Sequence, residues 1–415
     1  MNTIKLPSLL LLTCFLIVAT GFFACTKEEE EPVRDIKIGV LLGFSGIGSQ
    51  NAIETKAALD IALQDIDDYL QRTNLKVSVE LLYKDTESDT AVAKLKAQNL
   101  IDQGVRLIIG PYTSAEAMAV KQLADEQDVL LVSHSAVSTA LALPNDNFLR
   151  FVPSDHYQAE ALNAMLNRDG IEAMVAVVRN DIWSNSLIDA VSDLFLADGG
   201  NIVSELAFEP GTDDYAGLAT EITGALNAGA ALYGEDKTAL YMISFADGTN
   251  ILEALSDAGA TTEHKVYGAS AYARDATLTA SADAAAFALQ TGLKVPVFGF
   301  DEMASHIYKD IQERIKKETG ETANIYALAA YDILLTAFLA KITQDPGAPF
   351  AAFKSHFIDT AASYYGATGH TKLDENGDRM LVFYDFWAIA ETNAGTYSWE
   401  IVAKYDTSSG MLTFY

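Results

Sequence analysis

Short apolar runs alternate along the chain with stretches of helical periodicity. DIKIGVLL (35–42) is a continuous apolar run of the kind that forms a strand buried on both faces. In the segment after it, Leu59, Leu63, Ile66 and Leu70 fall on one helical face. KVSVELLYKD (76–85) alternates as a strand, and Ser88 is expected to open a helix ending near Gly104. RLII (106–109) reads as a strand, 115–127 as a helix and DVLLVS (128–133) as a strand. Four strands alternating with three helices predict a doubly wound parallel sheet.

The alternation restarts after FLRFVPSD (148–155). Strands AMVAVV (173–178), NIVSELAF (201–208), TALYMIS (238–244) and HKVYG (264–268) are interleaved with helices near 156–169, 184–198, 213–230 and 247–258. Two α/β lobes follow from this. KVPVFGF (294–300) reads as a strand crossing between them, followed by helices near 303–318, 323–342 and 348–362. The tail turns to β, with turns at Asn376-Gly377 and Asn393–Gly395.

Half of the 415 residues are hydrophobic, enough for two or three domains. The formal charge of −29 argues against sequence-independent nucleic-acid binding, which needs a basic face. It also argues against adhesion of the protein's own surface to anionic lipid. The first 24 residues read as a signal peptide: Lys5, then an apolar run, then Ala24-Cys25. Ala24-Cys25 resembles a bacterial lipobox, with Phe22 in place of the usual Leu, so Cys25 is the expected lipidation site. An uncleaved anchor is the alternative. Both cysteines, Cys14 and Cys25, lie in this segment, so the folded part is expected to hold no disulfide. Residues 25–34, with TKEEEEP, read as a charged tether.

IKIGVLLGFSG, KDTESDTAVAKLKAQNLIDQGVRLIIGPYTS, VSHSAVSTAL, FLRFVPSD, ALAAYDILLTA and GATGHTKLDENGDR occur in an order that resembles type I periplasmic binding proteins of the branched-chain amino-acid-binding branch. The resemblance spans essentially the whole mature chain. It implies an α/β clamshell of two doubly wound Rossmann-like lobes joined by a three-strand hinge, with ligand between them. Lobe 1 would comprise 35–154 plus 294–364 and lobe 2 would comprise 155–293 plus 365–415. The crossings would lie near 153–156, 290–295 and 362–368.

The resemblance also implies site residues. Ser114, in the Gly-Pro-x-x-Ser turn, would bind the ligand carboxylate; otherwise it is an ordinary N-cap. Ser135 and the backbone at Val137 would face the ligand, although the family usually has Thr at Val137 and Pro at His134. His134 is either a ligand donor or, as expected here, a surface residue. Trp183 would stack on the ligand or else be a core residue, and Phe245 lies near a second aromatic position. Asn51 would add a hydrogen bond at the cleft edge. Ser270 stands where amino-acid binders of this branch carry a carboxylate for the substrate ammonium. An unpaired ammonium in a dry cleft costs several kcal/mol, so either Asp247 or Asp275 substitutes or the ligand is not an α-amino acid.

Catalytic and cofactor motifs fail on inspection. Ile47 occupies the last glycine of a nucleophile elbow begun at Gly43. Asn51 replaces the third glycine of a dinucleotide fingerprint begun at Gly46. The six histidines show no metal-ligand spacing, and Arg379 stands where a calcium loop begun at Asp374 wants Gly. The expectation is a lipid-anchored solute-binding protein of an ABC importer, without enzymatic activity, cofactor, metal or nucleic-acid partner. It would sit on the periplasmic side or outer surface of the cell envelope. The alternative is the same fold serving as a regulator of an envelope partner, with its cleft filled by its own side chains.

Overall fold

The computed structural model describes residues 34–320 and 322–415. The signal peptide, Cys25 and all but the end of the tether lie outside them. The first sheet is built from β1 (Arg34–Leu42), β2 (Val77–Asp85), β3 (Leu107–Ile109), β4 (Leu130–Ser133) and β5 (Phe148–Arg150), all parallel, in the order β2-β1-β3-β4-β5. The helices between them are α1 (Ser49–Thr73), α2 (Thr90–Asp102) and α3 (Ser114–Glu126). Leu59, Ile66 and Leu70 of α1 are buried, as their spacing predicts. Asp89, not Ser88, caps α2, accepting from the N–H groups of Ala91 and Val92 at 2.8 and 2.9 Å. Ser88 has a left-handed backbone and locks the neighbouring turn instead: its hydroxyl donates to the Ser45 carbonyl at 3.0 Å.

The second lobe runs through α4 (Asp155–Asp169), β6 (Ala173–Arg179), α5 (Ile182–Ala197), β7 (Asn201–Phe208), α6 (Tyr215–Tyr233), β8 (Thr238–Ile243), α7 (Asp247–Asp257) and β9 (Lys265–Gly268). Its sheet is parallel, in the order β7-β6-β8-β9. Two short helices, α8 (Ala276–Ala280) and α9 (Ala282–Gln290), lead to the crossing strand β10 (Val295–Gly299). Next come α10 (Ser305–Thr319), α11 (Ile325–Thr343) and α12 (Phe350–Ser363). α11 is apolar enough to span a bilayer, but most of its surface is buried inside the protein, which makes it a core helix.

The small ladder β11 (Tyr365–Gly366) and β12 (Gly369–His370) follows, then β13 (Phe383–Glu391), β14 (Tyr397–Asp406) and β15 (Met411–Phe414). The last three extend β10 into an antiparallel sheet in the order β10-β13-β14-β15. Residues 366–379 remain bound to first-lobe elements. Asp332 of α11 accepts from the N–H groups of Ala367 and Thr368 at 2.7 and 2.9 Å. The buried Arg150, at the end of β5, pairs through two nitrogens with Asp378, at 2.5 and 2.8 Å. The turn at 374–378 is thus a hairpin whose last carboxylate is held by Arg150, and Leu373 bridges Arg379 across it.

Candidate functional site

Both parallel sheets end their strands at the gap between the lobes, where loops converge. After β3 the chain turns at Gly110, whose φ is +100°. A Cβ there would stand 2.2 Å from the Leu41 carbonyl oxygen, so only glycine lets the turn pass so close to β1. The turn delivers Tyr112, Thr113 and Ser114. Thr113 is the N-cap of α3: its hydroxyl accepts from the Glu116 N–H at 3.2 Å, and the Glu116 carboxylate accepts from the Thr113 N–H at 3.0 Å, closing a capping box. Ser114 is thereby released from capping. Its oxygen accepts the Ser138 N–H at 3.2 Å, which leaves its own O–H proton to donate.

Ser114 faces a cavity of about 210 Å³ between the lobes. First-lobe walls come from Tyr112, Ser135, Val137 and Tyr326. Second-lobe walls come from Arg179, Asp181, Trp183, Phe245 and Ser270. The chain therefore brings a hydroxyl at a helix start, where N–H groups lack intrahelical partners, opposite an aromatic wall. Trp183 and Phe245 lie 5.0 Å apart between ring centroids. On one flank the lobes touch directly, the Ser138 and Ser186 hydroxyls lying 2.7 Å apart.

The aromatic wall is held from behind. Trp183 Nε1 donates to Asp155 at 2.8 Å; Asp155 also accepts from Gln158 at 2.9 Å, and Gln158 accepts the Ser270 N–H at 2.8 Å. Burial pushes the Asp155 carboxyl up to about 7, against the opposing pull of Arg150 and the Trp183 hydrogen bond. The Asp155 N–H donates to the Val137 carbonyl at 2.8 Å, tying this network to the first lobe.

A family model described as periplasmic binding protein matches residues 35–375. The chain belongs to the periplasmic binding protein family. An uncharacterised protein of Methanocaldococcus jannaschii is 24% identical over 426 residues, covering 96% of this chain and 98% of that one. The fold is that of an ABC transporter substrate-binding protein from Desulfitobacterium hafniense in complex with Leu (TM-score 0.69, 21% identity, 88% of this chain and 100% of that one). It is equally similar to a solute-binding protein from R. palustris in complex with benzoate (TM-score 0.70, 15% identity, 88% and 96%).

In this periplasmic binding protein, six of the expected residues share the cavity wall: Ser114, Ser135, Val137, Trp183, Phe245 and Ser270. The Ser135 hydroxyl is already spent on the Tyr112 carbonyl at 2.8 Å. Asn51 stands outside the inner cavity, in an adjoining chamber, donating to the Tyr112 hydroxyl at 2.8 Å. Asp247 and Asp275 also line that chamber and not the inner cavity. Asp247 is engaged by Arg179 Nε at 3.3 Å, and Asp275 caps α8, accepting the Thr277 N–H at 2.7 Å. His134 is not on the surface. It is fully buried beneath Tyr112, neither ring nitrogen has a hydrogen-bond partner, and burial pushes its pKa down to about 3.

Sequence reasoning missed Arg179, Asp181, Tyr112 and Tyr326. Arg179 was findable as the first charge after the apolar run of β6. It pairs with Asp181 as well as Asp247, and its guanidinium stands 5.0 Å from the Phe245 ring centroid. Tyr326 gave no local signal, because it reaches the cavity only through the packing of α11.

Proposed function

We propose that this protein is a solute-binding lipoprotein, anchored at Cys25 in the bacterial cell envelope, that captures a small carboxylate-bearing ligand and delivers it to an ABC importer. One observation carries this reading: a cavity walled by both lobes, with the Ser114 hydroxyl proton and the start of α3 on one side and Trp183 and Phe245 on the other. Hydroxyls and helix-start N–H groups suit a carboxylate, and aromatic walls suit an apolar body. A ligand touching both lobes favours their closed arrangement by its differential contacts. The structural neighbours bound to Leu and to benzoate, both carboxylates, support the ligand class. The open cavity also favours ligand capture over the regulator alternative, which wants a cleft filled by the protein's own side chains.

Thermal unfolding of the chain from residue 34 onward, with and without a panel of amino acids, aromatic and aliphatic acids, amides and short peptides, tests the reading. A ligand at 100 times its Kd stabilises by about 2.7 kcal/mol, a shift of several degrees for lobes of this size. Ser114→Ala should abolish the shift. A shift that survives Ser114→Ala would remove the carboxylate from this site.

A further inference from the structure

A second chamber of about 490 Å³ adjoins the inner cavity. The two share Ile47, Tyr112, Phe245, Ser270, Ala271 and Tyr326, so they adjoin along that common wall. The first lobe supplies Asn51, Glu54 and Asn324 to the second chamber, the β10–β13 region supplies Phe300 and Trp387, and the second lobe supplies Asp275. Arg274 of the second lobe reaches across to the carbonyls of Thr322 and Ala323, at 2.8 and 2.9 Å, and stands 5.6 Å from the Trp387 ring centroid. A group held in this chamber would therefore touch both lobes.

Charge is unevenly placed along the space. Asp181, the inner cavity's carboxylate, is committed to Arg179, as is Asp247. An α-ammonium next to a carboxylate at Ser114 would find no unpaired carboxylate there. In the second chamber, Asp385 is paired with Lys404 at 3.1 Å. Arg274, the cation lining this chamber, is turned onto the Thr322 and Ala323 carbonyls, whereas Glu54 and Asp275 are held by neutral donors. Glu54, only 7% exposed, accepts from Gln50 Nε2 at 3.2 Å and the Asn324 N–H at 2.7 Å. Asp275 accepts the Thr277 N–H. Among the described residues neither carboxylate has an ion-pair partner in the structure.

We propose that the ligand is an elongated amino-carboxylate. Its carboxylate rests on Ser114, its chain runs past the residues the two chambers share, and its distant ammonium lies in the second chamber beside Glu54 and Asp275. The proposal rests on the solute-binding reading and names the class of ligand. The chemistry is shared by ω-amino acids and by short peptides, whose ammonium is also remote from the carboxylate.

Titration calorimetry separates these cases. The probes are the straight-chain ω-amino acids from 4-aminobutanoate to 8-aminooctanoate, each compared with its 2-amino isomer and with the unsubstituted acid. Glycine peptides of two to four residues form the peptide arm. At least one ω-amino acid or peptide should bind about tenfold more tightly than its 2-amino isomer or, for peptides, than glycine, a gap of ~1.4 kcal/mol. Glu54→Gln and Asp275→Asn, which keep the local hydrogen-bond acceptors, should each weaken that probe and leave the unsubstituted acid unchanged. Equal or tighter binding of the 2-amino isomers would overturn the proposal, as would variants that leave the preference intact. If acids bind and only the preference is absent, the solute-binding reading stands and this proposal falls. If no acid or peptide binds, both fall.

Discussion

Replacing Arg150 by Met strands a carboxylate and loosens the loop that carries Ser135 and Val137. Arg150 is fully buried and makes four hydrogen bonds: two to Asp378, one to the Ala136 carbonyl at 3.0 Å and one to the Ser138 carbonyl at 2.9 Å. Breaking a buried ion pair on one side costs about 3–5 kcal/mol, because the remaining charge is uncompensated. Each abandoned carbonyl adds ~1 kcal/mol or more. Arg150→Met should therefore lose roughly 5 kcal/mol in urea unfolding. The double variant Arg150→Met with Asp378→Leu removes the stranded charge. It should recover most of the loss and leave about 2 kcal/mol for the two carbonyls. Ligand affinity should fall in both variants, since both lose the bonds that fix the 136–138 backbone. A loss below about 1 kcal/mol in the single variant, the range of an exposed pair, would refute the reasoning. So would a double variant no more stable than the single.

Two buried titratable groups act in opposite directions. The folded state raises Asp155 from 3.8 to about 7, so its contribution is complete below the unfolded value and lost as pH rises through about 7, by roughly 4 kcal/mol. Asp155→Asn should therefore gain on the wild type as pH rises across that window, read from urea midpoints at each pH. His134 is lowered from 6.5 to about 3, so its contribution is present above 6.5 and lost as pH falls toward 3, by roughly 5 kcal/mol. His134→Leu should gain on the wild type as pH falls, and parallel pH curves would rule this out. Gly110→Ala should cost roughly 3 kcal/mol from clash and backbone strain, and a neutral effect in thermal unfolding would contradict the close approach to Leu41.

The lobes were legible because their strands are local patterns: the apolar runs of β1, β6 and β8 and the one-sided face of α1 need no distant partner to be recognised. The Ser114 turn was legible for the same reason. Which residue caps its helix was not legible, because Thr113 and Ser114 are equally good caps in sequence and the Glu116 side chain decides between them. Ser88 was misread similarly, since its hydroxyl is claimed by the Ser45 carbonyl. His134 sits between two serines, and no periodicity marks it as buried. The electrostatics of the cleft were illegible: whether Asp247 is free depends on Arg179, and only the fold brings the two together.

Two contacts across the cleft, the Ser138–Ser186 hydroxyl pair and Arg274 on backbone carbonyls, need no attraction between oppositely charged lobes. Yet the chain carries a net charge of −29, and residues 155–293 hold a large excess of Asp and Glu over Lys and Arg. Bringing the lobes together thus concentrates like charge, at a cost that falls as the Debye length shrinks to about 10 Å at 0.1 M salt. Rising ionic strength should move this clamshell toward its shut form, opposite to the behaviour of a clasp built from salt bridges.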